Sequence, residues 1–320
     1  MVATQKHLRH ADRVRETAHS KTEAARSVIA ASWRRSLLHH GLKPESEHAA
    51  ERVSAAELAS ARERMGGMLE IAQPTLDRLF RTVGDSGCCV LLTDADGVVV
   101  ERLGMASDDA TFKDWGLWTG AVWSEATEGT NGIGTCIAEQ RPVTIYRDQH
   151  FHSRNTAMSC MDAPIYDHKG ELVAALDVSS CRESHTEGFV ALIATAVGEA
   201  ARRIESDTFR AAFPGARIVM CPGHGHGGAM LLAVDKDDLV IGATRAARKA
   251  LGLPEASLDA PLPAPDILNG RVQRADLESA ERAEVRRALA RTNGNVSAAA
   301  VMLGIGRATL YRRMKRLGLS

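Results

Sequence analysis

The residues with the plainest chemistry close the chain, in NVSAAAVMLGIGRATLYRRMKRLGLS. From Asn295 onward it carries Arg307, Arg312, Arg313, Lys315 and Arg316 and no Asp or Glu, although 40 basic residues balance 40 acidic ones overall. Residues 271–320 hold eleven Arg or Lys against four Asp or Glu, so +7 sits at this end and −7 in the remainder. Unopposed charge of this kind calls for a polyanionic partner. Leu310, Met314 and Leu317 recur at helical spacing and define a buried stripe, which leaves Arg307, Thr309, Tyr311, Arg312, Arg313, Lys315 and Arg316 facing outward. A helix of this kind fits the major groove of duplex DNA, where residues at its start reach base edges. Arg307, Thr309 and Tyr311 are therefore the expected base or near-base contacts. Arg312, Arg313, Lys315 and Arg316 are placed for phosphates, which give affinity without sequence information.

Other groups have types that bind or react. Trp115, Trp118 and Trp123 cluster in a chain with only four Trp. They either enclose an apolar or carbonyl-bearing small molecule or plug the core of their own domain. Glu128 and Asn131, in TEGTNGIGT, either contact that molecule or cap a helix expected over 133–139, and Cys136 joins the candidate lining. Cys88, Cys89, Cys136 and Cys160 are candidates for a redox switch. A sensor thiol needs exposure and a lowered pKa, whereas Cys88-Cys89 open an apolar strand, so buried reduced thiols are the plainer reading. None of the six Cys forms C-x-x-C, which removes zinc-ribbon spacing. Cys221, His224 and His226 in CPGHGHGG are metal-ligating types without a standard spacing or a fourth ligand, and glycines between histidines suit a turn. His150 and His152 read as loop or packing residues. With no G-x-S-x-G or H-E-x-x-H, nothing suggests hydrolytic catalysis, and no enzyme activity, metal or cofactor is expected.

These residues need elements to hold them. Residues 1–76 read as helical, with TEAARSVIAASWRRSLLHHGL as an amphipathic helix ending at Gly41 whose Arg34 and Arg35 are solvated. Residues 77–207 change character. CCVLLTDADGVVVERLG is a hairpin about Asp96-Gly97, RPVTIYR a strand, and APIYDHKGELVAALDVSS a second hairpin turning at Asp167–Gly170. A long helix follows, with Ser184 and Glu187 fitting a capping box. Residues 208–256 read as strand, Gly-rich turn, strand, tight turn at Asp235–Asp238, strand and short helix, too little for an independent core. Pro261, Pro263 and Pro265 favour an extended linker over 257–273. In 274–320, Leu277–Arg291 is helical, Asn295 caps a second helix ended by Gly304, and a third starts at Arg307. Two short helices across a Gly-containing turn, the second cationic, form a helix-turn-helix. No run approaches the length of a membrane span, and the N-terminus lacks an apolar stretch, so the sequence reads as cytoplasmic.

The words NGNVSAAAVMLGI and RATLYRRMKRLGL strongly resemble the Fis-type helix-turn-helix of bacterial regulators. One departure is Gly306, where that family commonly has a small polar residue that caps the recognition helix. WSEATEGTNGIGTCIAEQRPVTIYRDQHF, SWRRSLLHHGLKPE and CMDAPIYDHKGELVAALDVSS are similar to the GAF sensor domain of AcoR-like (acetoin-operon-type) activators, from about Ser32 to Glu205. AMLLAVDKDDLVIGATRAARKALGL resembles the first half of the PAS-like region that follows GAF there. The resemblance implies an α+β fold: a GAF-type sensor with antiparallel sheet and flanking helices, a partial PAS-like segment, and an all-α helix-turn-helix domain. It also implies a homodimer on inverted repeats of double-stranded DNA and a small-molecule effector such as acetoin or a related alcohol, aldehyde or ketone. AcoR-like activators hydrolyse ATP through G-x-x-x-x-G-K-[ST], a string this sequence does not contain. Control by site occupancy, with RNA polymerase or a full-length enhancer-binding activator as further partner, is therefore expected. The alternatives are a redox- or metal-responsive regulator and, because some lone GAF domains reduce methionine sulfoxide, a GAF-type reductase.

Overall fold

The computed structural model describes residues 2–182, 184–221, 228–253, 262–269 and 277–319. They form two compact units, residues 1–262 and 263–320. The first opens with α1 (Val2–His19), α2 (Lys21–Arg26) and α3 (Val28–Arg34), the last running on as a wider π turn over Arg35–His39. The single helix expected across this stretch breaks at Ser27. Its backbone is extended (φ −133°, ψ 125°), and its hydroxyl accepts from the Ala30 N–H at 3.3 Å. Serine competes with helix continuation by capping, and here capping wins. Nor are Arg34 and Arg35 simply solvated. Arg34 donates to the Ala18 carbonyl at 2.9 Å, and Arg35 bridges Glu125 (3.1 Å) and Glu139 (2.8 Å).

Next come α4 (Ala55–Met65), entered through a Ser54/Glu57 capping box, and α5 (Met68–Val83). The central sheet is built from β1 (Cys88–Asp94), β2 (Val99–Leu103), β3 (Val143–Tyr146), β4 (Ser159–Tyr166) and β5 (Leu172–Ser180). Its order is β2-β1-β5-β4-β3 and every neighbouring pair is antiparallel. Short helices α6 (Asp109–Asp114), α7 (Glu125–Glu128) and α8 (Gly132–Glu139) lie between β2 and β3 in sequence. The long α9 (Glu187–Ala212) follows β5. Its cap is Thr186, whose hydroxyl accepts from the Phe189 N–H, and not Ser184: the chain is still extended at Thr186 (ψ 159°).

Strand alternation divides the core. On one face Val90, Leu92, Met161, Ala163, Leu176 and Val178 pack under α5 and α9. On the other, Cys89, Leu91, Cys160 and Ala175 meet Ile133 and Cys136 of α8 and Trp123 of the preceding loop. A second antiparallel sheet, β6 (Arg217–Met220), β7 (Leu231–Val234) and β8 (Leu239–Ala243), leads through a Thr244 cap into α10 (Arg245–Leu251). Too small to bury a core alone, it packs Leu231 and Ala233 on Phe209 and Phe213 at the end of α9.

In the second unit, α11 (Ala264–Asn269) takes up part of the expected linker; Pro265 is tolerated there because it lies in the first helical turn. Then follow α12 (Leu277–Arg291), α13 (Val296–Met302) and α14 (Arg307–Arg316). Among the described residues no helix is long and apolar enough to cross a membrane.

Candidate nucleic-acid interface and ligand-facing sheet

Three helices with few large residues make the C-terminal unit. Val285, Ala288, Ala299, Ala300, Leu310 and Leu317 are buried together, with Leu289, Leu303, Ile305 and Met314 packed around them. Alanines at 288, 299 and 300 let the helices approach closely, and Leu310, fully buried, fills the space that remains. The turn into α13 is fixed by Asn293 and Gly294, both at positive φ (49° and 81°), and by Asn295, whose side chain accepts from the Ala298 N–H at 3.1 Å. Gly304, at φ 64°, ends α13. Gly306 stands at the N-cap of α14 without a side-chain hydrogen bond, so that terminus keeps its amide donors open.

With the stripe of α14 buried, its cations are outside. Arg307, Tyr311, Arg312, Arg313, Lys315 and Arg316 are exposed and Thr309 is half-buried. The Arg307 guanidinium lies 5.6 Å from the Tyr311 ring centroid, which pre-orients both at the start of the helix. Arg313 and Arg316 differ from the rest: both pair with Glu281 of α12, Arg313 at 3.1 Å. Their charge is partly offset within the unit. Sequence reading missed this because Glu281 is distant in the chain and reaches them only through helix packing.

In the first unit Trp115 and Trp123 pack into one apolar cluster, while Trp118 lies against Arg102. Trp123 is core, its Nε1–H donating to the Gly116 carbonyl at 3.0 Å. Trp115 meets Phe112 edge-on at 6.4 Å, and Trp118 lies under the Arg102 guanidinium at 4.1 Å. Asn131 caps α8, accepting from the Gly134 N–H at 2.8 Å while donating to the Gly129 carbonyl. Glu128 is buried against Arg154; burial pushes its carboxyl up to about 7 although Arg154 pulls the other way. Cys136 is buried on α8, and desolvation raises its thiol well above the ordinary range, followed by the influence of Asp162 and Asp177. Burial likewise drives Cys88 up to about 11 and Cys89 and Cys160 well up, the opposite of an activated thiolate. Cys221 is buried, and its proposed co-ligands His224 and His226 lie outside the described residues.

What the sequence reading overlooked is on the α8-facing side of the sheet. Asp162 of β4 and Asp177 of β5 stand opposite each other in register, both buried. Ser179 Oγ donates to Asp177 Oδ2 at 2.8 Å and lies 3.2 Å from Cys160 Sγ. His150 Nδ1 is 2.8 Å from the Arg147 carbonyl and must donate to it; Nε2 is then the acceptor for the Cys160 thiol at 3.3 Å. Burial holds this imidazole neutral, lowering it to about 4. Among the described residues, both Asp162 oxygens and Asp177 Oδ1 have no partner other than the facing carboxyl. Burial first, and then the neighbouring carboxylate, raises Asp162 well above the carboxylate range, and burial brings Asp177 up to about 7. The pair therefore shares a proton near neutrality, as adjacent buried acids must. A signal was available: Asp177 interrupts LVAALDV and Asp162 interrupts CMDAPIY at inward positions of strands buried on both faces.

The N-terminal helices bond to the segments that flank this side of the sheet. The Ser32 hydroxyl donates to Glu125 and lies 2.7 Å from Thr130 Oγ1, Trp33 Nε1–H donates to the Gln149 carbonyl at 2.8 Å, and His10 Nδ1 is 3.1 Å from Ser153 Oγ. The arm is thus tied to the loops carrying α7, α8 and His150.

Residues 67–204 match the GAF domain family, and residues 276–317 match the Fis family of bacterial regulatory proteins. The chain is 34% identical over 183 residues to the acetoin catabolism regulatory protein of Cupriavidus necator, a stretch covering 57% of this chain and 27% of that protein. It is 30% identical over 178 residues to the acetoin dehydrogenase operon transcriptional activator AcoR of Bacillus subtilis, covering 56% of this chain and 29% of the relative. It thus spans less than a third of either curated relative. Among solved structures, the E. coli DhaR(N)–DhaL complex aligns with a TM-score of 0.52 at 18% identity, over 71% of this chain and 77% of that one, a likeness of fold.

Proposed function

For a chain that carries a GAF domain and a Fis-family helix-turn-helix, we propose the role of a bacterial transcriptional regulator that binds duplex DNA through α14 and answers to a small metabolite. The observation that carries it is the outer face of α14, where exposed Arg307, Arg312, Arg313, Lys315 and Arg316 surround a helix held by buried Leu310 and Leu317. A helix of that width enters the major groove, with Arg307, Thr309 and Tyr311 toward base edges and the later cations toward phosphates. The regulator works in the cytoplasm as a homodimer on inverted half-sites.

The effector is bound on the α8-facing side of the sheet. Oxygens of Asp162 and Asp177 that nothing outside the pair satisfies ask for hydrogen-bond donors there, beside the buried apolar Leu91, Ile133 and Trp123. A small alcohol, hydroxyketone or related compound has that mix of groups, in keeping with the acetoin named in the relatives. Residues 205–275, between the two matched regions, leave no space for an ATPase of the enhancer-dependent kind. Control therefore runs through occupancy of the site, or through a full-length activator or RNA polymerase bound beside it.

Selection of bound fragments from genomic DNA, repeated with acetoin and with simple alcohols and ketones, tests both halves. Enrichment of a shared inverted repeat, with occupancy altered by one of these compounds, is expected. Recovery of random fragments would overturn the regulator; a specific repeat indifferent to every compound would overturn only the effector class.

A further inference from the structure

On the acid-bearing side of the sheet, α8 lies directly against one of the two carboxyls. At Gly132, the first residue of α8, an added Cβ would collide with Asp162 Oδ2 and stand 2.6 Å from Cys160 Cβ. The space between helix and carboxyl does not admit a methyl group at this point. A ligand lying between Asp162 and α8 therefore requires the first turn of the helix to rise. Ile133 and Cys136, buried with Cys89, Leu91 and Cys160, rise with it. So does α7, because the two helices touch backbone to backbone: a Cβ at Gly134 would overlap the Glu125 nitrogen and stand 2.7 Å from the Trp123 carbonyl oxygen.

The N-terminal arm holds this block down. Ser32 of α3 is fully buried. Its hydroxyl donates to Glu125, the first residue of α7, and lies 2.7 Å from Thr130 Oγ1 and 3.3 Å from Thr135 Oγ1 of α8. Three residues on, the Arg35 guanidinium reaches both ends of the block, Glu125 at 3.1 Å and Glu139, the last residue of α8, at 2.8 Å. That spacing puts Ser32 and Arg35 on one side of their helical run. The arm's apolar hold on the body is a small cluster of Val14, Ala18 and Trp33 around Phe151. Its other ties are polar: His10 to Ser153, Arg13 to Asp148 at 2.6 Å, and Trp33 to the Gln149 carbonyl. Elements with few buried apolar contacts open locally at low cost.

We propose that Ser32 and Arg35 form a latch that presses α7 and α8 onto the Asp162–Asp177 pair, and that the effector enters by releasing it. This rests on the reading of that face as the effector site. Each latch bond joins the arm to the block, so release frees α3 as α8 lifts. Occupancy of the face is thereby written into the position of the arm. The closed state also sets the apparent affinity, because the effector binds only the fraction of molecules that is open.

Buried thiols report the opening without any effector. Cys136 on α8 and Cys160 beneath it belong to the face that the latch closes, whereas Cys88 is buried on the opposite face with α5 and α9. The full chain is treated with methyl methanethiosulfonate, and each cysteine is followed by mass spectrometry of fragmented peptides. In Arg35→Met and in Ser32→Ala, Cys136 and Cys160 should react at least roughly tenfold faster than in the parent, the scale of losing a hydrogen bond to a charged group. Cys88 should be unchanged. Where Arg35→Met does not fold, Ser32→Ala, which keeps the Arg35 bridges, decides alone. Unchanged rates at Cys136 and Cys160 would overturn the latch. So would equal acceleration at Cys88, which reports loosening of the whole domain. DNA occupancy with candidate compounds scores the effector face separately. A responsive compound with unaltered thiol rates removes the latch alone; acceleration confined to Cys136 and Cys160 with no responsive compound keeps the latch and removes the effector reading.

Discussion

Asp162 and Asp177 are two carboxyls side by side in a sheet buried on both faces, an arrangement that costs stability when both ionise. Both hold protons more tightly folded than unfolded. From about pH 4, the ordinary carboxyl value, to about 7 for Asp177, the folded chain binds more protons from this pair, and their contribution to stability falls as pH rises. Glu128 and Glu205, also raised to about 7 by burial, act in the same direction. His150 and His152, lowered to about 4, act in the other. Comparing a variant with the parent cancels those contributions. Asp162→Asn leaves a neutral amide opposite Asp177. It should stabilise the effector-free chain by an amount that grows from pH 5 to pH 8, reaching on the order of 1–3 kcal/mol. Urea unfolding at a series of pH values measures this, and a variant less stable than the parent at pH 8 would contradict the shared-proton account. The same scale separates the cations of α14. Arg307→Ala should cut the preference for the specific site over random duplex, by about 1–3 kcal/mol if it reads a base. Arg312→Ala should weaken both equally and reduce the salt slope by about one. Arg313→Ala should do the same to a smaller degree, because Glu281 already offsets part of its charge. Parallel binding isotherms at several salt concentrations decide it; identical losses for Arg307→Ala and Arg312→Ala on both duplexes would refute the division.

Among elements, α14 is held by fully buried Leu310, half-buried Met314 a turn later and buried Leu317 at its end. Leu310→Ala should remove about 2–5 kcal/mol. In a unit with so small a core, that is enough to unfold it. Circular dichroism of residues 263–320 should lose its helical signal, and the full chain should lose DNA binding while the first unit still melts cooperatively. Persistent helicity in the variant would mean that α12 and α13 suffice. Much of this was legible in the sequence, because Leu310, Met314 and Leu317 repeat at helical spacing and Asn295 and Gly304 mark the turn chemically. The hairpins were legible for the same reason: Asp96-Gly97 and Asp167–Gly170 are turn residues, and Gly97 and Gly170 take φ of 82° and 88°. What spacing could not supply was register. Asp162 meets Asp177, and Arg313 meets Glu281, only once strands and helices have docked. The three tryptophans show the converse: neighbours in sequence, they part in the fold, Trp115 and Trp123 joining one apolar cluster and Trp118 lying under Arg102. Ser27 and Thr186 add that a hydroxyl beside an apolar run caps wherever the backbone turns extended, which shifts a boundary by a few residues.

At the scale of the whole molecule, reading an inverted repeat requires two copies of α14 held at a fixed spacing. The C-terminal unit offers little apolar surface for that pairing. Val285 and Ala288 of α12 are spent inside the three-helix core, and outside it Leu277 (92% exposed) on α12 and Val301 and Met302 on α13 stand exposed. Residues 1–262 have more to offer, including the 26-residue α9, on which Leu192 is 70% exposed. Pairing should therefore reside in the first unit. The full chain should sediment as a dimer and the segment 263–320 as a monomer. A duplex carrying two half-sites about 10 base pairs apart, centre to centre, presents both to one side. Inserting about 5 more turns the second half-site to the opposite side of the helix. The full chain should lose at least roughly tenfold in affinity on that insertion, since one reader is left without its site and the effective-concentration advantage is lost. The segment 263–320 should be indifferent, each copy binding alone. The salt dependence should follow suit, with the full chain showing about twice the slope of the segment on the in-phase duplex, because two sets of phosphate contacts form together. Equal sensitivity to spacing in both proteins would place the pairing in α12 after all. A monomeric full chain with a single-reader salt slope would remove the inverted repeat from the account.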